Sequence, residues 1–268
     1  VHCPAPPLSR YVQFLWIAQD RIDYRRERVL PNGVVEVIVN LGPRFKVLAN
    51  EDFARAEVFD RAWVAGIQRR GLVIEPFAET DLLGIRIRPG GARALLGLPL
   101  HELTDRVVEL ELLDTLDLRG LRERMFVATS RADRFRIAED VLREQLDESR
   151  AAHPAVAHVC RRIAAASGNV RIDRLVAETG YSERRLRQLF ERDVGMGAKT
   201  LAAVCRFQHA LRRVANCEPG AIDWGGVAAD CGYFDQAHLN HEFRRLAGLT
   251  PGAYLAARLP DINHAVVD

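Results

Sequence analysis

The chain has 268 residues, 48% of them hydrophobic and 28% charged, a balance that suits one large or two modest globular domains and excludes a disordered or fibrous protein. No apolar run is long enough to span a bilayer and no charged leader precedes a small-residue cleavage site, so a cytosolic protein without membrane contact is expected. The formal net charge of +2 identifies no partner by itself, but residues 160–258 hold 15 Lys and Arg against 10 Asp and Glu, a basic excess of the kind phosphate contacts require. Nearly all of it is Arg, which suits bidentate bonding. Cys3, Cys160, Cys205, Cys217 and Cys231 form neither a CxxC pair nor a zinc-spaced group with His. An odd count argues against a disulfide framework, so Cys160, Cys205 and Cys231 read as small core residues. No metal and no cofactor is expected.

After a Pro-rich lead, residues 11–18 are apolar and fit a strand or a short helix equally. Pro31-Asn32-Gly33 is turn chemistry, and residues 34–41 then alternate Glu36, Ile38 and Asn40 with Val35, Val37 and Val39, which predicts a strand with both faces covered. Further strands are expected at 45–49, 61–68, 72–76 and 82–88, the last ending in a Pro-Gly-Gly turn. These make a small barrel or half-barrel. A ligand in such a barrel would meet apolar walls and a few polar groups, for which Glu36, Asn40, Trp63, Gln68, Arg86 and Arg88 are the candidates. An aromatic ring plus an Arg can hold an acidic or planar compound. The plainer alternative puts Arg86 and Arg88 in water and Trp63 in the core.

The stretch after Gly91 predicts a domain-closing helix. From 110 to 149 the pattern is helical, with Leu118, Leu121 and Met125 and then Phe135, Ile137, Val141, Leu142 and Leu146 at helical intervals, as an internal clamp or a dimer seam. Residues 149–154 are the best linker, because Pro154 can occupy the first turn of the next helix. The expected division is therefore 1–150 and 151–268.

Beyond a helix ending at Gly168 the chain contains an internal repeat. Ala177, Gly180, Tyr181, Leu186, Phe190, Arg192 and Gly195 recur as Ala229, Gly232, Tyr233, Leu239, Phe243, Arg245 and Gly248, with one extra residue after the second Tyr. Each copy predicts a short helix, a glycine turn and a second helix capped by Ser182 or Asp235, with a small residue, Ala177 in the first copy, at the helix crossing. The apolar stripes, Leu186, Leu189 and Phe190 in one and Leu239, Phe243 and Leu246 in the other, leave exposed polar faces. Arg184, Arg187, Gln188, Gln236, His238, Asn240 and His241 are the candidates for base edges, since Arg can bond guanine and Asn or Gln adenine bidentately. Ser182, Arg185, Lys199 and Arg244 are candidates for backbone or supporting contacts. Between the copies runs a helical pattern of about nineteen residues, about 28 Å by helix rise, on which Arg206 is expected to make an ion pair.

Residues 155–257 resemble the DNA-binding domain of the AraC/XylS family of bacterial transcription regulators, in which a long helix joins two helix-turn-helix units. Residues 232–254 carry the resemblance most specifically: an aromatic after Gly232, the Asp235-Gln236 pair, and Gly248, Thr250, Pro251 and Tyr254 in family spacing. Ala198 stands where many members have Pro, and His241 where Arg is common. More loosely, PNG, VNLG, AWVAGIQ and RIRPGGARALLG resemble the N-terminal domains that precede this module in one branch of the family and sense effectors or mediate assembly. The resemblance implies an α+β chain with a β-rich, barrel-like N-terminal domain and an all-α C-terminal domain with two helix-turn-helix units. It also implies double-stranded DNA and RNA polymerase as partners, a small-molecule effector and activation as the mode of regulation; a homodimer would follow from a seam along the 137–146 stripe. An enzyme reading has little support, since Cys3 has only His2 beside it and no nucleophile–base arrangement or phosphate loop is evident. A structural nucleoid protein would need no specific readers.

Overall fold

The computed structural model describes residues 1–48, 56–113, 120–218 and 222–267. Strands β1 (Val12–Arg21), β2 (Glu27–Val29), β3 (Val35–Asn40), β4 (Phe45–Leu48), β5 (Glu57–Phe59), β6 (Ala62–Ala65), β7 (Leu72–Glu75), β8 (Glu79–Ile87), β9 (Val107–Glu109) and β10 (His264–Val266) form two five-stranded antiparallel sheets. Their orders are β1-β8-β3-β6-β9 and β10-β2-β7-β4-β5. The ambiguous segment at 11–18 is a strand, because β8 gives it a partner from Val12↔Ile87 to Arg21↔Glu79. The five other expected strands are present, with Ala49 and Leu118 lying outside the described residues. β2, β5, β9 and β10 were not foreseen; at three residues each they are too short to display alternation.

The alternation in β3 sorts two cores. Val35, Val37 and Val39 enter a large cluster with Leu15, Leu83 and Ile85, whereas Ile38 meets Phe59, Trp63 and Leu82 in a small cluster between the sheets. Helices α1 (Ala92–Leu96), α2 (Leu121–Phe126) and α3 (Arg131–Gln145) belong to the larger side. Ile137, Val141 and Leu142 of α3 are buried there, so its apolar stripe is an internal clamp rather than a dimer seam.

The helical half comprises α4 (Pro154–Ala165), α5 (Ile172–Thr179), α6 (Glu183–Asp193), α7 (Ala198–Val214), α8 (Trp224–Asp230), α9 (Gln236–Ala247) and α10 (Pro251–Ala257). α7 has 17 residues, hence a rod of about 25 Å, slightly shorter than expected. In the first α5–α6 unit, Leu175, Leu186, Leu189 and Phe190 join the large cluster; in the α8–α9 unit, Val227, Ala228, Cys231, Leu239, Phe243 and Leu246 form a separate one with Phe207 and Tyr254. Ala177 does not lie at the helix crossing. It and Ala229 are exposed, because Leu175 and Val227–Ala228 occupy the inward positions instead. Burial raises the thiol pKa of Cys160 to about 12 and of Cys205 to about 11, so both remain protonated and pack as small apolar groups.

The two halves are packed together across residues 149–154. Thr104 Oγ1 donates to the Gly195 carbonyl at 2.5 Å, and Gly195 has φ 93° in a space where a Cβ would lie 2.9 Å from both Ile67 and the Leu100 oxygen. Gly71 N–H donates to the Leu246 carbonyl at 2.7 Å, and Gln208 Nε2 to the Pro31 carbonyl at 2.9 Å. Leu30 lies in the core of the second unit. The C-terminal strand β10 pairs with β2, residue His264 against Val29, and so completes a sheet that begins with the N-terminal half. His264 Nδ1 lies 3.2 Å from the buried Glu27 carboxylate. Burial opposes an imidazolium there, but the hydrogen bond and charge of Glu27 outweigh it and raise the His264 pKa.

Candidate nucleic-acid interface

The first reader helix, α6, starts where the sequence places it. Gly180 has φ 71° and ends α5, and Ser182 Oγ accepts a hydrogen bond from Arg185 N–H at 3.3 Å. With Leu186, Leu189 and Phe190 turned inward, Arg184, Arg185, Arg187 and Gln188 are exposed. Arg187 lies 3.6 Å from Glu191, both well exposed, so the pair tethers it weakly. Lys199 is exposed in the first turn of α7.

The second reader, α9, is capped by Asp235, whose Oδ1 accepts from His238 N–H at 2.7 Å. Gln236, His241 and Arg244 are exposed and Asn240 is half-buried. His238 departs from its expected role. Its Nδ1 accepts from Phe234 N–H at 3.3 Å and its ring stands edge-on to Tyr233, so it braces the turn with only Nε2 left for another partner. Arg206 also departs: it donates to the Gly168 carbonyl at 3.0 Å and lies over the Tyr233 ring at 5.9 Å, bonding to a carbonyl and a ring where an ion pair was expected.

Two positions escaped the sequence reading. Asp193 at the end of α6 is completely buried and accepts from His153 N–H at 2.9 Å and from Arg192 at 2.7 and 3.0 Å. An acid after a charged helix gives no sign of burial. Phe234, the residue by which the second copy is longer, is 91% exposed; the register shift was its only trace.

The six candidates in the β-rich half are not brought to one place. Glu36 and Arg86 are paired at 2.8 Å on the inter-sheet face, with Trp16 Nε1 donating to Glu36 at 3.4 Å and the Arg86 guanidinium 5.0 Å from the Phe14 ring. Trp63 is buried in the adjoining small cluster. Asn40 is a turn brace rather than a ligand contact: its amide donates to the Pro43 and Asp60 carbonyls and its Oδ1 accepts from Gly42 N–H. Arg88 is exposed and bonds the Ser9 carbonyl. Gln68 donates to the Gly66 and Arg106 carbonyls and lines a cleft of about 1510 Å3 between the sheets, where Phe59, Leu72 and Val107 contribute, and the helical half, where Thr200 and Arg244 do. Among the described residues no group of three or more His, Cys, Asp or Glu could hold a metal, and no helix is long and apolar enough to cross a membrane.

Residues 175–257 match a family model described as a helix-turn-helix domain, and residues 1–109 one described as a domain of unknown function, DUF6597. ToxT from Vibrio cholerae O395, bound to (E)-4-(8-methylnaphthalen-1-yl)but-3-enoic acid, is 13% identical and superposes over 90% of this chain and 98% of its own with a TM-score of 0.50. The chain therefore carries a helix-turn-helix domain at residues 175–257 and shares the fold of ToxT. A second ToxT structure, from Vibrio cholerae, agrees at 12% identity, the same coverages and a TM-score of 0.50. The AraC-like transcriptional activator CuxR matches at 17% identity over 74% of this chain and 76% of its own, with a TM-score of 0.28. No curated protein matches the chain. Like the ToxT fold, the protein joins a β-rich N-terminal part to a helical C-terminal part that holds the helix-turn-helix domain.

Proposed function

We propose that this protein is an AraC-type transcription regulator that reads two successive major grooves with α6 and α9, held apart by α7, and activates transcription by contacting RNA polymerase. The observation that carries this reading is the pair of capped helices, each turning an apolar stripe inward and a face of Arg, Gln, Asn or His outward, with a 17-residue rod between them in the chain. A rod of about 25 Å plus the helix widths spans the roughly 34 Å between major grooves on one side of a duplex. One chain then suffices for both contacts, and a homodimer is not required. Arg184, Arg187, Gln188, Gln236, Asn240 and His241 take base edges, while Arg185, Lys199 and Arg244 take phosphates. Ser182 and His238 support the helix starts. Residues 151–268 supply the reader, apart from β10, and residues 1–150 the sensing part.

Arg187→Ala is expected to cost about 1–3 kcal/mol on the preferred site and to relax one base position. Equal losses on preferred and scrambled duplexes, measured by titration at fixed salt, would remove Arg187 from the readers.

The sensing part is proposed to take a small apolar acid between the sheets. Trp16, Leu72 and Ile74, partly buried around the Ile38–Trp63 cluster, supply apolar surface there, and Arg86 keeps N–H groups beyond the Nε that it gives to Glu36. The naphthalenyl butenoic acid bound by ToxT has this chemistry. That compound is expected to raise the Tm of this protein by roughly 5 °C at about 100 times Kd, and Arg86→Gln to lose most of the rise. An unchanged Tm with wild-type protein would reject this ligand class.

A further inference from the structure

We infer that Phe234 is a sequence-reading residue, its ring packing on the C5-methyl group of a thymine at the edge of the site read by α9. The inference rests on the proposed groove contact of α9 and adds to it a contact that no polar side chain can make.

Phe234 is 91% exposed, the highest value among the large hydrophobic residues exposed in the described structure. Its neighbour Tyr233 is 6% exposed, so two adjacent aromatic residues are sent in opposite directions. The turn holds them so. Tyr233 N–H donates to the Ala228 carbonyl at 2.9 Å, Phe234 N–H donates to His238 Nδ1 at 3.3 Å, and Asp235 accepts from His238 N–H at 2.7 Å. The backbone is thus tied at Tyr233 and Phe234 and the next residue by its capping side chain, which fixes the turn that leaves the Phe234 ring in water.

Its place in the unit names the occupant. Phe234 immediately precedes the capping residue of α9, and the N-terminal residues of a recognition helix are those that meet base edges in the major groove. Gln236, exposed on the first turn, continues the same edge. A phenyl ring reads no donor or acceptor, but thymine alone among the bases presents a methyl group in that groove. In the first unit the residue before the capping Ser182 is Tyr181, 39% exposed, but its ring stands edge-on to His153 and its hydroxyl is 3.3 Å from His153 Nε2, so the two units differ in what they can recognise. Of the other large hydrophobic residues exposed in the described structure, Tyr181 alone lies in the helical half.

The test uses the full chain and selection from a random duplex library, followed by titration of the best site. Wild-type protein is expected to select thymine at one position of the half-site bound by α9. Phe234→Ala should relax that position and weaken the best site roughly fourfold, the scale of one buried methyl group, with Tm unchanged because the ring is in water. Deoxyuridine in place of that thymine should cost wild-type protein the same factor and cost Phe234→Ala nothing, and Phe234→Leu should keep part of the preference. Equal weakening on all sequences would overturn the inference in favour of a backbone contact. Unchanged selection with lost transcription would overturn it in favour of a polymerase contact. If Gln236→Ala alters the selection and Phe234→Ala does not, only this inference fails; if no sequence is selected at all, it fails together with the groove reading.

Discussion

Asp193→Ala is expected to lower the unfolding free energy by about 3–5 kcal/mol, as removal of one partner from a buried charge network does. The Asp193 carboxylate is wholly out of water at the C-terminal end of α6, where the helix dipole gives it no help. It is held by the His153 N–H at the entry to α4 and by the Arg192 guanidinium, with Arg93 Nε from α1 at 3.9 Å. One side chain thus gathers the start of the helical half, the end of the first reader and the helix that closes the β-rich half. Alanine would leave a buried N–H without an acceptor and two cations without their counter-charge. Arg192 and Arg93 can reach water in part, which moderates the loss. Urea unfolding followed by far-UV circular dichroism measures it, and a change under about 1 kcal/mol would show that the carboxylate is dispensable. Asp193→Asn, which keeps an acceptor for His153 and loses only the charge, should fall between the two.

Phe243→Ala should cost about 3–5 kcal/mol by the cavity it opens, and the damage should be local. Phe243 is 1% exposed and lies between Phe207 of the rod, 5.0 Å away by ring centroids, and Tyr254 of α10, 5.5 Å away. Its cluster is separate from the large core that contains Phe190, so the second unit can loosen while the first stays folded on the sheets. Hydrogen exchange is expected to lose protection in α8, α9 and α10 and to retain it in α6. Uniform loss through both units would show that the two clusters unfold together. Leu30 and Ala265 also belong to this cluster, so β2 and β10 should share in the loosening.

The contrast between these two substitutions marks where local pattern stops being informative. The repeat, the glycine turns, the caps at Ser182 and Asp235, the inward stripes of both readers and the two-faced alternation of β3 depend on residues within a few positions of one another, and they were all legible. The same locality explains the misplacements. Whether an exposed-looking Asn, His or Arg is free to meet a ligand depends on which carbonyl happens to lie beside it, and Asn40, His238 and Arg206 each found one or a nearby N–H. Chain order shows two copies of one unit as equals, yet the first joins the large core of the β-rich half while the second has a separate core that takes in only Leu30 and Ala265 from outside the helical units. A three-residue tail carries no periodicity of its own, so β10 exists as a strand only because β2 offers an edge. Helix faces and turns are local free-energy choices that nearby side chains decide. Pairing, burial of charge and the joining of the two halves are choices among distant partners, and only the folded chain selects them.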